Sequence, residues 1–307
     1  MIQTQTTNSG GNFSAFLAYL QWGFFPLYFA QIKSLSPYQL TSIRTILCLL
    51  TIIILGKVSL NVKLNIRQTL KAFTSIKKIG IISCAAFLLA INYVVFIYLI
   101  QDNNTLAIGI GYFLSPVYKA AIGLFFLKEK VNRNKIISLI LMSLTFILLV
   151  QISLKLFFLS FILGFSFSLY GLLKKQTSQP FMESLTQELI ILTLASIFYL
   201  NWDQSFNLIN SLQSESNKEL FFIFFSGVVT LSPLLFFNIA AKKIEFFYLA
   251  LWHYLAPSLQ TLLAIFYFSE PLSQTHIYLF IIMFLALLPN MAPSLYKIFS
   301  SSRPKSL

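Results

Sequence analysis

Three charged side chains fall inside otherwise apolar stretches of this 307-residue chain: Arg44, Lys119 and Glu188. A charge placed near a bilayer centre costs about 2.5 to 3.5 kcal/mol even on a lenient insertion scale, so each needs a polar cavity, a partner or an interface. Arg44 keeps its proton and can hold an anion, meet a carboxylate, or snorkel to the interface about six residues away. Lys119 can lose its proton when desolvated, and its plainer alternative is a structural pair with Glu188. Glu188 offers counter-charge or a proton acceptor. Asn92, in the middle of its stretch, must find partners in a neighbouring helix or a ligand. Tyr112, Pro116, Lys119 and Gly123 share one helical face, and His253, Pro257, Gln260 and Ala264 share another. Trp252, His253 and Tyr254 add rings suited to apolar or aromatic groups. The candidate binding set is therefore Arg44, Asn92, Tyr112, Lys119, Glu188, Trp252, His253, Tyr254 and Gln260.

That chemistry holds a small molecule rather than transforming it. No two carboxylates share a face within an apolar stretch, and His253 and His276 are the only histidines. There is no His-x-x-Glu-His, Gly-x-Ser-x-Gly, cysteine cluster or phosphate-binding loop, so no catalytic residue, metal or cofactor is expected. Nor is there a charged ring or filter of the kind a channel uses. Cys48 and Cys84 lie in apolar stretches and read as small buried hydrophobes.

The elements that must position these residues are membrane-spanning helices. The chain is 57% hydrophobic and 10% charged, with mean hydropathy +0.78, against about 25% charged in a soluble domain. Ten segments can cross the roughly 30 Å of hydrocarbon: 13–31, 38–55, 79–100, 105–126, 136–151, 156–173, 182–200, 220–240, 246–268 and 276–295. Helices satisfy every backbone group there, and the weak alternation argues against a barrel. With the N-terminus inside, 17 of the 22 basic residues fall on inner connections, including Lys174 and the basic stretch from Gly56 to Lys78. Lys33, Lys155 and Lys218 fall outside, and Arg44 and Lys119 lie within spans. This bias orients the chain with both termini in the cytoplasm. The net charge of +13 flanks spans instead of forming one patch, so no nucleic-acid partner is expected. The uncharged residues 1–12 lack a cationic leader, which makes the first span a retained one.

The chain also repeats itself. At an offset of 141, His253-Tyr254-Leu255-Ala256-Pro257 overlies Tyr112 to Pro116, Gln260 overlies Lys119, and Glu270 overlies Glu129. Five spans per half place the second half in the opposite sense, an inverted repeat whose binding site lies near the midplane. The expected organisation is a cytoplasmic tail (1–12), two five-helix units (13–151 and 156–295) and a second tail (296–307), with the cavity between spans 2, 4, 7 and 9. Pro26, Pro116, Pro233 and Pro257 are the expected helix bends. Ser160, Gly164 and Ser168 form a small-residue face for close helix packing. Glu129 and Glu270 are expected to cap or bond loops at membrane edges, or to latch a gate.

In this order, Gly111-Tyr112-Phe113-x-x-Pro116 with Phe126-Leu127-x-Glu129, Gly164-x-x-Phe167-x-x-Tyr170-Gly171-Leu172, Glu188, Pro233-Leu234-Leu235-x-Phe237, and Tyr254-x-x-Pro257 with Glu270-Pro271 resemble the EamA family of the drug/metabolite transporter superfamily, most closely its RarD-type permeases. The resemblance implies a ten-helix secondary transporter of a small metabolite or drug-like solute in the cytoplasmic membrane, with proton coupling as an option. It implies a small-molecule substrate and the lipid bilayer as partners, with a homodimer left open. A non-transporting scaffold or sensor, or a membrane enzyme, are the rivals. Ala107, Ile43 and His253 depart from the relatives' acidic residue, histidine and glutamine, and losing the acid at 107 while gaining Lys119 would alter the charge of the cavity.

Overall fold

The computed structural model describes residues 9–58, 64–115, 118, 121–122, 133–176, 179–203, 216–244 and 252–301. Every regular element among them is helical: α1 (Ser9–Phe29), α2 (Pro37–Val58), α3 (Ile66–Lys71) with a 3-10 turn at Ala72–Thr74, α4 (Ile76–Gln101), α5 (Thr105–Phe113), α6 (Arg133–Ile152), α7 (Leu154–Gln176), α8 (Phe181–Trp202), α9 (Asn217–Lys243), α10 (Leu255–Phe266) and α11 (Gln274–Ser301). Helices α2, α4, α7, α8 and α9 each carry at least 21 residues apolar enough to cross a membrane, and shorter apolar stretches lie at Ser143–Ile152, Leu255–Phe266 and Gln274–Ala286. The outer surface displays Phe87, Leu194, Phe198, Phe224 and Phe284, each more than half exposed, as a lipid-facing surface requires. Cys84 lies exposed on this apolar exterior, not buried as expected, whereas Cys48 is in the core. Apolar character alone does not separate the two environments when the solvent is itself apolar.

Contacts between connections fix which helix ends meet. Glu219 accepts from the backbone N–H of Lys33 and Ser34 at 2.7 and 2.9 Å. Gln39 donates to Asp203 at 2.9 Å, Lys155 pairs with Asp102 at 2.8 Å, and Glu270 bonds the start of α5. These gather the α1–α2, α4–α5, α6–α7, α8–α9 and α10–α11 connections at one end of the bundle. At the other end, α3 is tied to α8: the Asn65 N–H donates to Glu183 at 3.2 Å, and Gln187 Nε2 donates to the Thr69 carbonyl at 3.2 Å. The principal packing pairs are α1 with α9 and α10, α2 with α8 and α9, α4 with α7 and α8, α5 with α7 and α10, and α6 with α11.

Small residues set the closest of these approaches. A Cβ on Gly164 would stand 2.2 Å from the Gly111 carbonyl oxygen, and one on Gly111 would stand 2.8 Å from the Ser160 carbonyl. The Ser160 hydroxyl donates to the Ala107 carbonyl at 2.9 Å, and the Ser168 hydroxyl to the Ser115 carbonyl at 3.2 Å. The small-residue face of α7 thus serves to bring α5 into backbone contact.

Two helices are interrupted at matching places. α5 has its C-cap at Leu114, and α10 starts after a turn at His253 and Tyr254. In each, a proline follows: Pro116 cannot donate to the Tyr112 carbonyl four residues back, nor Pro257 to that of His253. Pro257 sits in the first turn of α10, while Pro26 and Pro233 lie inside α1 and α9. Pro116 and Glu129 lie outside the described residues.

Candidate functional site

The interior encloses a cavity of about 90 Å³ to which α1, α2, α4, α5, α7, α8, α9 and α10 all contribute, with α6 and α11 packed away from it. It is wider in its lining than the expected set of spans 2, 4, 7 and 9. Of the candidate residues, the structure brings Arg44, Asn92, Tyr112, His253 and Gln260 to its wall. Lys119 lies outside the described residues.

Arg44 dominates the site. Its position on α2, among Thr41, Thr45 and Cys48, turns it inward, and it is only 1% exposed, so it does not snorkel. The guanidinium carbon stands 3.9 Å from the Tyr93 ring centroid and 4.9 Å from that of Phe29. Nε and Nη2 have no hydrogen-bond partner among the described residues. Cation–π contact supports the charge from two sides, yet donors in a low-dielectric interior remain unfilled, which is costly unless a ligand fills them.

The polar groups around it are mostly committed. Asn92 donates to the Leu163 carbonyl at 2.8 Å and to Ser166 Oγ at 3.2 Å, while its Oδ1 accepts from the Tyr112 hydroxyl at 3.0 Å. Asn92 therefore orients Tyr112 and ties α4 to α7. Pro26 has no N–H to offer the Trp22 carbonyl, and Gln260 Nε2 donates to that carbonyl at 3.0 Å instead. The proline of α1 and the polar residue on α10 thus act together. Gln21 of α1 meets Ser232 of α9 through a side-chain hydrogen bond. The rest of the wall is mainly aromatic and apolar, with Tyr19, Trp22, Phe25, Phe96, Phe167 and Leu234, apart from Thr230, whose Oγ1, like Gln260 Oε1, has no hydrogen-bond partner among the described residues.

Glu188, Trp252 and Tyr254 lie elsewhere. Trp252 Nε1 donates to Asn12 at 3.1 Å and its ring meets Phe16 edge-on. Tyr254 stacks on Phe113 at 6.3 Å. The turn at 253–254 sends these neighbours of His253 away from the cavity, because helical face arithmetic does not run through it. Glu188 faces a second, open cleft of about 540 Å³ floored by α3, which Gln68, Lys71, Lys78, Lys174, Ser184 and Gln187 also line. There it pairs with Lys174 at 2.8 Å and accepts from the Tyr170 hydroxyl at 2.9 Å. Lys174, assigned above to a connection, is in the closing turns of α7. Tyr170 joins the two spaces, its ring on the cavity wall and its hydroxyl on Glu188.

Tyr170 and Lys174 went unread as site residues, although their i, i+4 spacing at the end of an apolar helix was a signal. Tyr93 had none beyond adjacency to Asn92. Ala107 is buried in the packing of α5 and is not on the cavity wall, so its departure from the relatives' acidic residue does not alter the charge lining this space.

At the opposite end, Glu270 bonds the first turn of α5, accepting from the Thr105 and Leu106 N–H groups at 2.5 and 2.9 Å. It serves as the cap expected of it, supplied across 164 residues or more of sequence. Burial raises its pKa from the ordinary 4.5, against the lowering effect of those backbone bonds. No group of three or more metal-ligating side chains occurs among the described residues.

Residues 9–151 match the model of the EamA-like transporter family. The chain is 28% identical over 290 residues to the uncharacterized transporter YojE of Bacillus subtilis, covering 94% of this chain and 95% of that one. It is 28% identical to Protein RarD of Streptomyces exfoliatus, covering 83% and 79%, and 26% identical to Protein RarD of Escherichia coli, covering 83% and 85%. One solved crystal structure superposes with a TM-score of 0.61 at 13% identity, over 92% of this chain and 98% of that one, a likeness of fold.

Proposed function

We propose that the chain is a multi-pass membrane transporter of the EamA type and not an enzyme, which the match of residues 9–151 and the transporter-named relatives support, and that it carries a small solute across the cytoplasmic membrane by exposing the central cavity to each side in turn. The observation that carries this reading is Arg44, a buried guanidinium with open donors on the wall of an internal space. A permanent charge whose Nε and Nη2 have no hydrogen-bond partner among the described residues is best explained by a ligand that supplies one.

The proposed framework is ten spans in two inverted units, 13–151 and 156–295, with tails 1–12 and 296–307 and both termini cytoplasmic. Four pairs of cavity-lining residues separated by 141 positions support it: Arg44 and Leu185, Leu89 and Thr230, Tyr93 and Leu234, Tyr112 and His253. Exchanging α1 with α7, α2 with α8, α4 with α9, α5 with α10 and α6 with α11 converts the principal packing pairs into one another. Two discontinuous helices facing each other across such an axis suit a site that two half-structures share. On this framework the end closed by Glu219, Asp203 and Glu270 is external and the cleft holding Glu188 opens to the cytoplasm. Lys119, the counterpart of Gln260, is proposed as a second contact for the substrate. Trp252 and Tyr254 support the turn at His253 instead of touching it. Glu188, held by Tyr170 and Lys174, is the group proposed to exchange a proton, and an unchanged pH dependence of transport in Glu188→Gln would exclude it.

The test of transport is direct. Proteoliposomes holding the wild-type chain or Arg44→Met are incubated with a bacterial metabolite extract, and their contents are compared by mass spectrometry. At least one solute should accumulate with the wild type alone. Identical contents would overturn the proposal.

A further inference from the structure

The charge in the two spaces is lopsided. Among its described lining residues the central cavity holds one charged side chain, Arg44, and no carboxylate. The acid nearest in the network, Glu188, faces the other cleft, and its oxygens are taken by Tyr170, Lys174 and Ser184. A zwitterion or a cation entering the cavity would therefore bring an ammonium group to rings and to the open acceptors Gln260 Oε1 and Thr230 Oγ1, beside a guanidinium of the same sign. No carboxylate among the described lining residues offsets the cost of desolvating that charge. An anion meets the reverse: two open N–H donors on a planar, permanently charged fork, geometry that suits a carboxylate.

The cleft carries the same bias independently. Lys71, Lys78 and Lys174 line it against Glu188 alone, leaving a positive field that raises the local concentration of anions. Tyr170 stands between the two spaces, so an anion that draws Lys174 away from Glu188 also loosens the hydrogen bond that holds this ring. The aromatic wall, made of Tyr19, Trp22, Phe25, Phe96 and Phe167, offers much to an apolar body and holds no carboxylate to neutralise a second positive charge.

From these observations we infer that the cargo is a small organic anion with an apolar or aromatic body, drawn in through the basic cleft and seated on Arg44. Zwitterions and amines of the same size bind more weakly, because no carboxylate among the described lining residues meets their ammonium group. The inference rests on the transport reading and narrows its substrate class.

Binding to the purified full-length chain tests it, with three probes that share one ring and differ in charge: phenylacetate, phenylalanine and phenethylamine. Calorimetry should register phenylacetate alone. Arg44→Gln should weaken it roughly ten- to a hundred-fold, with Arg44→Lys between, since loss of a charge-assisted hydrogen bond changes affinity on that scale. Both variants should keep the wild-type melting temperature or exceed it, which separates loss of binding from loss of fold. Preference for phenylalanine or phenethylamine, equal binding of phenylacetate by Arg44→Gln, or binding of none of the three would overturn the inference. Binding of phenylacetate without any solute movement in proteoliposomes would instead overturn transport and leave the anion site standing.

Discussion

Replacing Arg44 by methionine should stabilise the empty protein while removing its ability to hold substrate. The magnitude follows from the geometry. Two buried donor nitrogens without a hydrogen-bond partner among the described residues cost about 1 to 3 kcal/mol each. The rings of Tyr93 and Phe29, at 3.9 and 4.9 Å, return part of this, about 0.5 to 2 kcal/mol per contact. Methionine keeps most of the stem's volume and makes sulfur–aromatic contacts with the same rings. The balance favours the variant by about 1 to 2 kcal/mol, which for a chain of this size is a rise of about 1.5 to 3 °C in melting temperature. Thermal unfolding in detergent, with no added ligand, reads this directly. A fall of similar size would refute the reasoning, since it would mean that the guanidinium is held by the protein and awaits nothing.

Other perturbations follow from the packing and the caps. Gly164→Ala forces a methyl against the Gly111 carbonyl and should cost about 1 to 3 kcal/mol in thermal or denaturant stability as α5 and α7 separate. Gln260→Leu strips the Trp22 carbonyl of its donor, a loss of about 1 to 3 kcal/mol. In a Pro26→Ala background, where the helix supplies its own N–H, the same substitution should cost markedly less, and equal costs in a double-mutant cycle would show that the two are unlinked. Glu270 has a raised pKa in the folded protein, so its contribution is fully present below 4.5 and is lost as pH rises through the higher folded value. Melting temperature should therefore decline over that window in the wild type and decline less in Glu270→Gln.

Much of this architecture is written in the residues. The apolar lengths place the long helices within a few positions of those observed, as with 182–200 against Phe181–Trp202, whereas 105–126 and 246–268 meet the shorter Thr105–Phe113 and Leu255–Phe266. The spacing of Ser160, Gly164 and Ser168 announces a close helix contact, though not that Gly111 is the surface met. Arg44 declares itself by the expense of its charge. What the sequence conceals is direction. Trp252, His253 and Tyr254 are neighbours, yet only His253 reaches the cavity, because a turn interrupts the helix there. Glu188 lies near the counterpart of Arg44 and suggests a pair, but a lysine at the end of α7 claims it first. Cys84 and Cys48 sit in equally apolar surroundings by sequence, one against lipid and one against protein.

Carriage of a solute requires that the space around Arg44 open to both sides of the membrane. Thr230 lines it and is 2% exposed. A Thr230→Cys variant, made in a chain with Cys48→Ala and Cys84→Ala and inserted in sealed vesicles of known orientation, can be offered a membrane-impermeant thiol reagent from either face. Labelling from both faces, slowed by a bound substrate, is the predicted result. Labelling from one face alone, or from neither, would contradict a carrier.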